Sequence, residues 1–421
     1  MDFTDKSRQE AAAPPASRTP PTTTTTTTTL HISDRTALAA AWRSPHAILT
    51  HLNADTTWIL HLPYPPDAAR PAGRSRFNVL LDPWLRGPQS DGGRWLSIQW
   101  HVVAPSVQTM AELNGLLGEL EKGYIAAAAA AAATDAVETE AAAATAVAET
   151  VAETKEEGEE EEEEEESYVD VVAISHEFTD HCHEATLREL PRSTPVFAPA
   201  KAAALIRSWR HFDAVTETPP FFAAARTKEK KEKEKEKDWR AVLNCAPLLP
   251  PWVGVGRVVT PGNTLYYHSA LVVAWAGSAS ASASVSGEEA EAEAANSVVY
   301  SPHGIEPGAL SGMEGAGLRT LALLHGLDDV RLWMTKQLNL GGVNGVAAAR
   351  ECGAKYWVAT HDEVKKGGGF VSLLLRRTRW SVADAVKREG EKSVVKGAGD
   401  DKQVGGYEFV ELGSGDGLVL A

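Results

Sequence analysis

The chain predicts an α/β fold, with two sheets of mixed strands and helices outside them. Three observations lead there. Between residues 169 and 211 the pattern runs strand, helix, strand, helix, which is the signature of α/β proteins. Short apolar, β-branched runs then continue through the C-terminal half, in a number and order that suit two mixed sheets better than one doubly wound parallel sheet. Four low-complexity segments leave about 300 residues able to build a core, enough for one large domain.

Strands dominate the N-terminal part. Thr56-Thr57-Trp58-Ile59-Leu60-His61-Leu62 reads as a strand, followed by a Pro-rich turn over 63–66. Residues 77–85 form a second, ended by Asp82-Pro83, and 97–103 a third. Leu113, Leu116, Leu117 and Leu120 recur at helical spacing, so 110–124 is a helix that the polyalanine prolongs before order is lost. Val169 to Ile174 is a buried strand, 184–190 a helix, 195–198 a strand and 200–211 a helix. Further strands are expected at 257–259, 265–274, 297–300, 329–334, 356–359, 371–375 and 409–411, with a helix at 346–352. Gly254-x-Gly256 and Gly367-Gly368-Gly369 lack the full phosphate-loop patterns and read as turns.

A tail over 1–29 is expected to be disordered, and one domain over 30–421 to carry low-complexity insertions at 126–167, 226–237 and 277–296. Such compositions bury too little apolar surface to offset chain entropy, leaving disorder or solvated helix. The net charge of -16 owes ten charges to Glu156, Glu157 and Glu159 to Glu166, a solvating tract. With no basic patch or stacking stripe, nucleic acid is not an expected partner. No apolar run is long enough for a membrane span, and no secretory signal is visible. The three cysteines, Cys182, Cys245 and Cys352, make no CxxC pair and fit a reducing compartment, so a cytoplasmic location is the expectation.

The chemistry concentrates where the strand 169–174 ends, in Ser175-His176-Glu177-Phe178-Thr179-Asp180-His181-Cys182-His183. A loop at a strand end aims several imidazoles and a carboxylate at one point, as a divalent metal requires. Cys182 reads as a packing residue. Two later strands also end in histidine: Val298-Val299-Tyr300-Ser301-Pro302-His303, and Trp357-Val358-Ala359-Thr360-His361. At His303 a turn residue and a ligand are equally good readings. Asp328-Asp329 reads as a turn rather than a metal pair.

The loop resembles the His-x-His-x-Asp-His motif of the metallo-β-lactamase superfamily, standing here as His176-x-Phe178-x-Asp180-His181. The resemblance spans roughly 56–375. It implies a four-layer αββα sandwich with metal at one edge of two sheets. It places His303 where the family carries an Asp, and His361 at the final family His. Leu81-Asp82-Pro83 is similar to a turn in the branch acting on sugar-lactone phosphates and N-acyl phospholipids. Two departures stand out: Phe178 replaces one ligand, and 249–257 holds no His where another is expected. One metal position is thereby depleted. The other keeps Asp180, His181 and His361, with His303 able to complete it and His183 an unassigned neighbour.

The resemblance implies a metal-dependent hydrolase acting on a small-molecule ester, lactone or phosphodiester. Zn²⁺ is the expected cofactor, one ion rather than two, with Fe or Mn also suited to the donors. Asp180 would serve as ligand or base, His181 and His361 as ligands, and His176 as ligand or acid. Phe178 motivates an alternative, a non-catalytic binding protein on the same fold. An iron-dependent oxidoreductase is a third reading. The sequence names no protein partner.

Overall fold

The computed structural model describes residues 28–140, 167–218, 220–221, 239–243, 248–260, 267–277, 294–333, 336–395 and 406–421. Its core is a pair of facing sheets. The first has eight strands, in the spatial order Thr29–His31, Asp416–Leu420, Ala47–His51, Trp58–Pro63, Arg76–Leu81, Val171–Ala173, Val196–Ala198 and Val215–Glu217. The second has seven, in the order Glu408–Val410, Tyr356–Val358, Leu318–His325, Ala295–Ser301, Ser269–Ala276, Val253–Val259 and Pro220–Phe221. Both mix parallel and antiparallel pairs.

Successive side chains of a strand point to opposite faces, and this alternation builds the layers. Leu49, Leu60, Val79, Val171 and Phe197 of the first sheet face Val255, Val273, Val298, Leu324 and Val358 of the second. Their chain neighbours Ile48, Ile59, Leu80 and Val172 point outward, under Leu38 and Trp42 of the helix Arg35–Trp42 and Leu113, Leu117 and Leu120 of the helix Met110–Glu140. On the far side Val272, Val299, Leu323 and Trp357 pack under Val343 and Val346 of the helix Gly342–Glu351 and Ala385 of the helix Val382–Val395. The result is helix, sheet, sheet, helix, the αββα sandwich.

The strands expected at 56–62, 77–85, 195–198, 356–359 and 409–411 are present with ends trimmed or shifted by a residue or more. The helix expected over 110–124 is prolonged by the polyalanine as expected, to Glu140, because alanine is the strongest helix former and needs no buried face to persist. Other readings are corrected. Of the insertion expected at 126–167, residues 141–166 lie outside the described residues, as do 226–237, 278–293 and the tail 1–27. Thr29 already belongs to a strand. Residues 371–375 are not a strand but a single 3₁₀ turn, Val371–Leu373, leading into the strand Leu375–Arg379. Gly254 and Gly256 sit inside the strand Val253–Val259 rather than in a turn. A Cβ on Gly254 would meet Leu243 and Trp239 at 3.0–3.1 Å, so the glycine lets a helix lie close on the sheet.

Two buried histidines of the first sheet make its stability pH-dependent. His51 Nδ1 lies 2.8 Å from the Leu412 carbonyl, and His61 Nδ1 lies 2.7 Å from Asn78 Oδ1. Burial pushes His51 down to about 4 and His61 down to about 3. The unfolded chain therefore takes up these protons first, and stability present above pH 6.5 is lost as the pH falls toward 4. His51 alone accounts for about 3 kcal/mol over that interval. His51→Asn, which keeps a donor toward Leu412, is expected to flatten the dependence by that amount in urea titrations at pH 7 and pH 4. Parallel slopes in variant and wild type would exclude the effect.

Candidate metal centre

Asp82, His176, Asp180, His181, His303 and His361 all stand just beyond the carboxyl ends of strands that run parallel to a neighbour, at one edge of the sandwich. The strand Arg76–Leu81 delivers Asp82 in a left-handed conformation, φ 42°. The strand Val171–Ala173 delivers the loop carrying His176, Phe178, Asp180 and His181, folded so that the His181 and Cys182 amides both donate to the Phe178 carbonyl. The strand Ala295–Ser301 turns at Gly304 to present His303. A Cβ on Gly304 would lie 2.5 Å from Leu340, and its φ of 82° suits glycine alone. The strand Tyr356–Val358 delivers His361, also left-handed at φ 58°. Among the described residues four non-glycines have positive φ, and two of them, Asp82 and His361, are here. Backbone held in sparsely populated conformations concentrates at functional sites.

The loop 53–57 ties the two sheets together beneath the cluster. The Asn53 side chain accepts from the Asp55 and Thr57 amides. The Asp55 carbonyl accepts from the His361 amide and the Thr360 hydroxyl. Thr56 Oγ1 donates to the Asp180 carbonyl at 2.6 Å, and the Tyr300 hydroxyl donates to the Thr56 carbonyl.

Three imidazoles share one arrangement. His181 Nδ1 lies 2.7 Å from Asp82 Oδ2, His303 Nδ1 2.8 Å from Asn339 Oδ1, and His361 Nδ1 3.1 Å from Asp55 Oδ1. An oxygen acceptor at Nδ1 fixes the proton there and leaves the Nε2 lone pair for the site. The ring centres of these three histidines are 4.9–5.1 Å apart. His181 Nε2 and His303 Nε2 are buried with no hydrogen-bond partner, an expensive state for a polar atom unless a further group occupies the space. His181 Nε2 faces Asp180 Oδ1 at 3.6 Å. Two groups of residues bring ligand atoms within 4.8 Å of one another: His176, His181 and His303, and Asp180, His181 and His361. The five residues singled out in the sequence as metal ligands are thus brought together.

His176 differs from the other three. Its Nε2 lies 2.8 Å from the Tyr267 carbonyl and its Nδ1 2.9 Å from Ser175 Oγ, so both nitrogens already have partners. Phe178 packs 6.1 Å from the His176 ring and 5.2 Å from Tyr267, forming wall where the motif would place a histidine. His183 is not a neighbour of the cluster. It precedes the short helix Glu184–Leu187, bonds Thr186 at 2.8 Å and stands by Trp84. Cys182 is buried packing, its thiol pushed up by burial. Asp328 and Asp329 belong to a strand, not a turn, and bond Arg377, Gln337 and Trp380.

Lys365 is the group that sequence reasoning missed. Its buried ammonium lies 2.6 Å from Asp55 Oδ2 and 2.9 Å from Asp180 Oδ2. In sequence it is one of two adjacent lysines and carries no signal. Asp55 carried none either, whereas Asp82 was marked by its Asp-Pro turn.

Burial works against every charge here, and the neighbours decide which survive. Burial would raise the Asp180 carboxyl, but Lys365, His181 and His361 outweigh it and hold it well below the usual carboxylate range. Burial would lower Lys365, but Asp180 and Asp55 raise it, so it stays an ammonium. His303 and His176 are pushed well down by burial and by neighbouring imidazoles, and His361 is pushed down by burial. Burial would lower His181 too, but Asp180 and Asp82 outweigh it and raise it, so an ion binding there would displace a proton; His176, His303 and His361 already stand as the neutral imidazoles that ligate metal.

A cavity of about 470 Å³ opens in front of the cluster. Leu96, Phe178, Leu332, Leu338, Val371 and Leu375 give it apolar walls, and Asp91, Lys336, Lys365 and Arg377 add charge. Among the described residues no helix is long and apolar enough to cross a membrane.

No family model matches the chain, and no curated protein is similar to it in sequence. Solved structures with a similar outline include an isothiocyanate hydrolase from Delia radicum gut bacteria, 13% identical, with a TM-score of 0.41 over 88% of this chain and 97% of that one. A possible metal-dependent hydrolase from Veillonella parvula is 9% identical, with a TM-score of 0.41 over 89% of this chain and 99% of its own. The metallo-β-lactamase fold protein YhfI from Bacillus subtilis is 10% identical, with a TM-score of 0.37 over 88% of this chain and 98% of its own. These likenesses are distant, and the fold stands on the chain's own layers: two mixed sheets face to face, helices outside both, and histidines gathered at one edge, a four-layer αββα sandwich.

Proposed function

We propose that this protein is a metal-dependent hydrolase of the metallo-β-lactamase superfamily that works with one divalent ion. The observation that carries the reading is the pair of buried, unpartnered Nε2 atoms of His181 and His303, each on a ring whose Nδ1 is already held. The donor set of imidazole nitrogen and carboxylate oxygen fits Zn²⁺, and also Fe or Mn. Asp180, His181 and His361 would hold the ion and His303 would complete the set. When bound, such an ion supplies Lewis acidity, acidifying water and polarising a scissile carbonyl or phosphoryl oxygen.

One ion is favoured over two by the sharing of His181. Both ligand groups need it, and with Nδ1 committed to Asp82 it offers a single nitrogen. Lys365 supports the same count, since its ammonium already sits between Asp55 and Asp180, where a second cation would find carboxylates. Asp180 divides its work, Oδ1 facing His181 Nε2 while Oδ2 receives Lys365 and lies 3.9 Å from His361 Nε2. Lys365 also reaches the cavity, where it can donate to a substrate oxygen. Asp91, pushed up to about 6 by burial and by Asp180, stands on the cavity wall ionised in the main at neutral pH, where it can take up a proton from water or pass one to a leaving group. His176, bonded at both nitrogens, acts as a support for the loop. The apolar walls suit an ester or lactone with a hydrocarbon portion, and the cations also admit a phosphodiester.

A second reading, a binding protein with a degenerate centre, draws on Phe178 and on the closure of Lys365 over Asp180. Elemental analysis of the purified protein separates the two. The hydrolase reading expects about one equivalent of zinc, iron or manganese, lost in Asp180→Ala and His361→Ala. Wild type that stays metal-free after incubation with each ion would reject it.

A further inference from the structure

We propose that the face around the cavity mouth docks on an anionic lipid surface, so that the cavity opens toward the membrane plane. This goes beyond the hydrolase reading and does not depend on it.

Ten large apolar side chains are exposed among the described residues, and seven of them belong to the segments that frame this one cavity. Trp95, Trp333, Phe370 and Leu373 are 57–75% exposed. They are bound to one another through the backbone: the Phe370 amide donates to the Trp95 carbonyl, and the Trp333 amide to the Leu374 carbonyl. Their chain neighbours Leu96, Val371 and Leu332 line the cavity, with Leu375 two residues beyond Leu373. Val102, Val103 and Val364 extend the patch, because the 102 and 103 amides both donate to Glu363. Exposed apolar patches of this extent on soluble folds mark interaction surfaces. Trp333 adds a second sign. It holds φ 50°, a conformation disfavoured for a bulky residue, and presents its indole to solvent there.

Charge selects the occupant. The segments 91–104, 331–338 and 363–379 contain eight Lys or Arg and two carboxylates, in a chain whose net charge is -16; Lys365, Arg377 and Arg379 pair with carboxylates outside these segments, which leaves five cations. Both carboxylates turn inward, Asp91 to the Thr179 amide and Glu363 to His101 and the 102–103 backbone. Arg94, Arg331, Lys366 and Arg376 are exposed among the apolar side chains. Tryptophan and other large apolar side chains interleaved with cations are what an anionic lipid interface attracts, the rings entering the headgroup layer and the cations pairing with phosphate and carboxylate. A second copy of this chain would bring the same cations against themselves, because a two-fold contact joins identical patches.

The test is co-flotation of the full chain with vesicles of phosphatidylcholine, with and without phosphatidylserine. Wild type is expected to float with the anionic vesicles and to remain behind with the neutral ones. Trp333→Ala/Phe370→Ala and Lys366→Glu/Arg376→Glu are each expected to reduce the bound fraction about tenfold, with circular dichroism and metal content unchanged. Wild type that floats with neither vesicle, or with both alike, would overturn the proposal. So would charge reversal without effect, or a dimer in sedimentation analysis that Trp333→Ala/Phe370→Ala dissociates, which would make a second copy the occupant.

Discussion

His181→Ala is expected to leave less than about 0.1 equivalent of metal on the protein and no measurable hydrolysis. No other side chain belongs to both groups of candidate ligands, so its loss empties both. The control is Asp82→Asn. Asp82 receives His181 Nδ1 and the Ser175 amide, and lies beside the Ser175 hydroxyl. Asparagine at that position keeps the shape but weakens the hold on the imidazole. Supporting residues of this kind are worth about 10–100-fold in metal affinity, so Asp82→Asn should bind metal at raised concentration where His181→Ala does not. Competition against a chromogenic chelator measures both. Equal affinities for His181→Ala and wild type would remove His181 from the centre.

Lys365→Ala is the second large effect. The wild-type ammonium is buried between two carboxylates. Removing one partner of a buried ion pair leaves its counter-charge uncompensated, at a cost of about 3–5 kcal/mol. The metal-free variant is therefore expected to unfold at markedly lower denaturant than wild type. Added Zn²⁺ should recover most of that loss, because Asp55 and Asp180 would then present carboxylates to a vacated cation position. The metal content of the variant should rise from about one equivalent toward two. A variant as stable as wild type without metal, or one that gains neither stability nor a second equivalent, would contradict the role given to Lys365.

Much of this was legible in the sequence because strand-end histidines are local signals. The runs ending at His176, His303 and His361 each announce a strand and a polar tip, and all three tips meet. Leu318–His325 went unrecognised although it lies near the middle of the second sheet. Leu321 and Leu324 face the sheet interface while Leu323 faces the helices, so apolar side chains on both faces erase the alternation that marks a strand. Lys365, Asp55 and Asn339 were invisible for another reason. Their importance comes from the atoms they meet 2.6–3.1 Å away, from distant parts of the chain, and no spacing encodes that.

The strand Asp416–Leu420 lies between Thr29–His31 and Ala47–His51, so the end of the described chain is wedged between its first two strands. Synthesis from the ribosome thus delivers the neighbours first and their shared partner last. Until Leu420 emerges, Ala47–His51 keeps one row of backbone donors and acceptors unpaired, an open edge of the sort that recruits foreign strands. A chain halted before Leu418 leaves a gap in the sheet interface where that side chain is fully buried. The first sheet therefore joins Thr29–His31 to Ala47–His51 only after Asp416–Leu420 has been made.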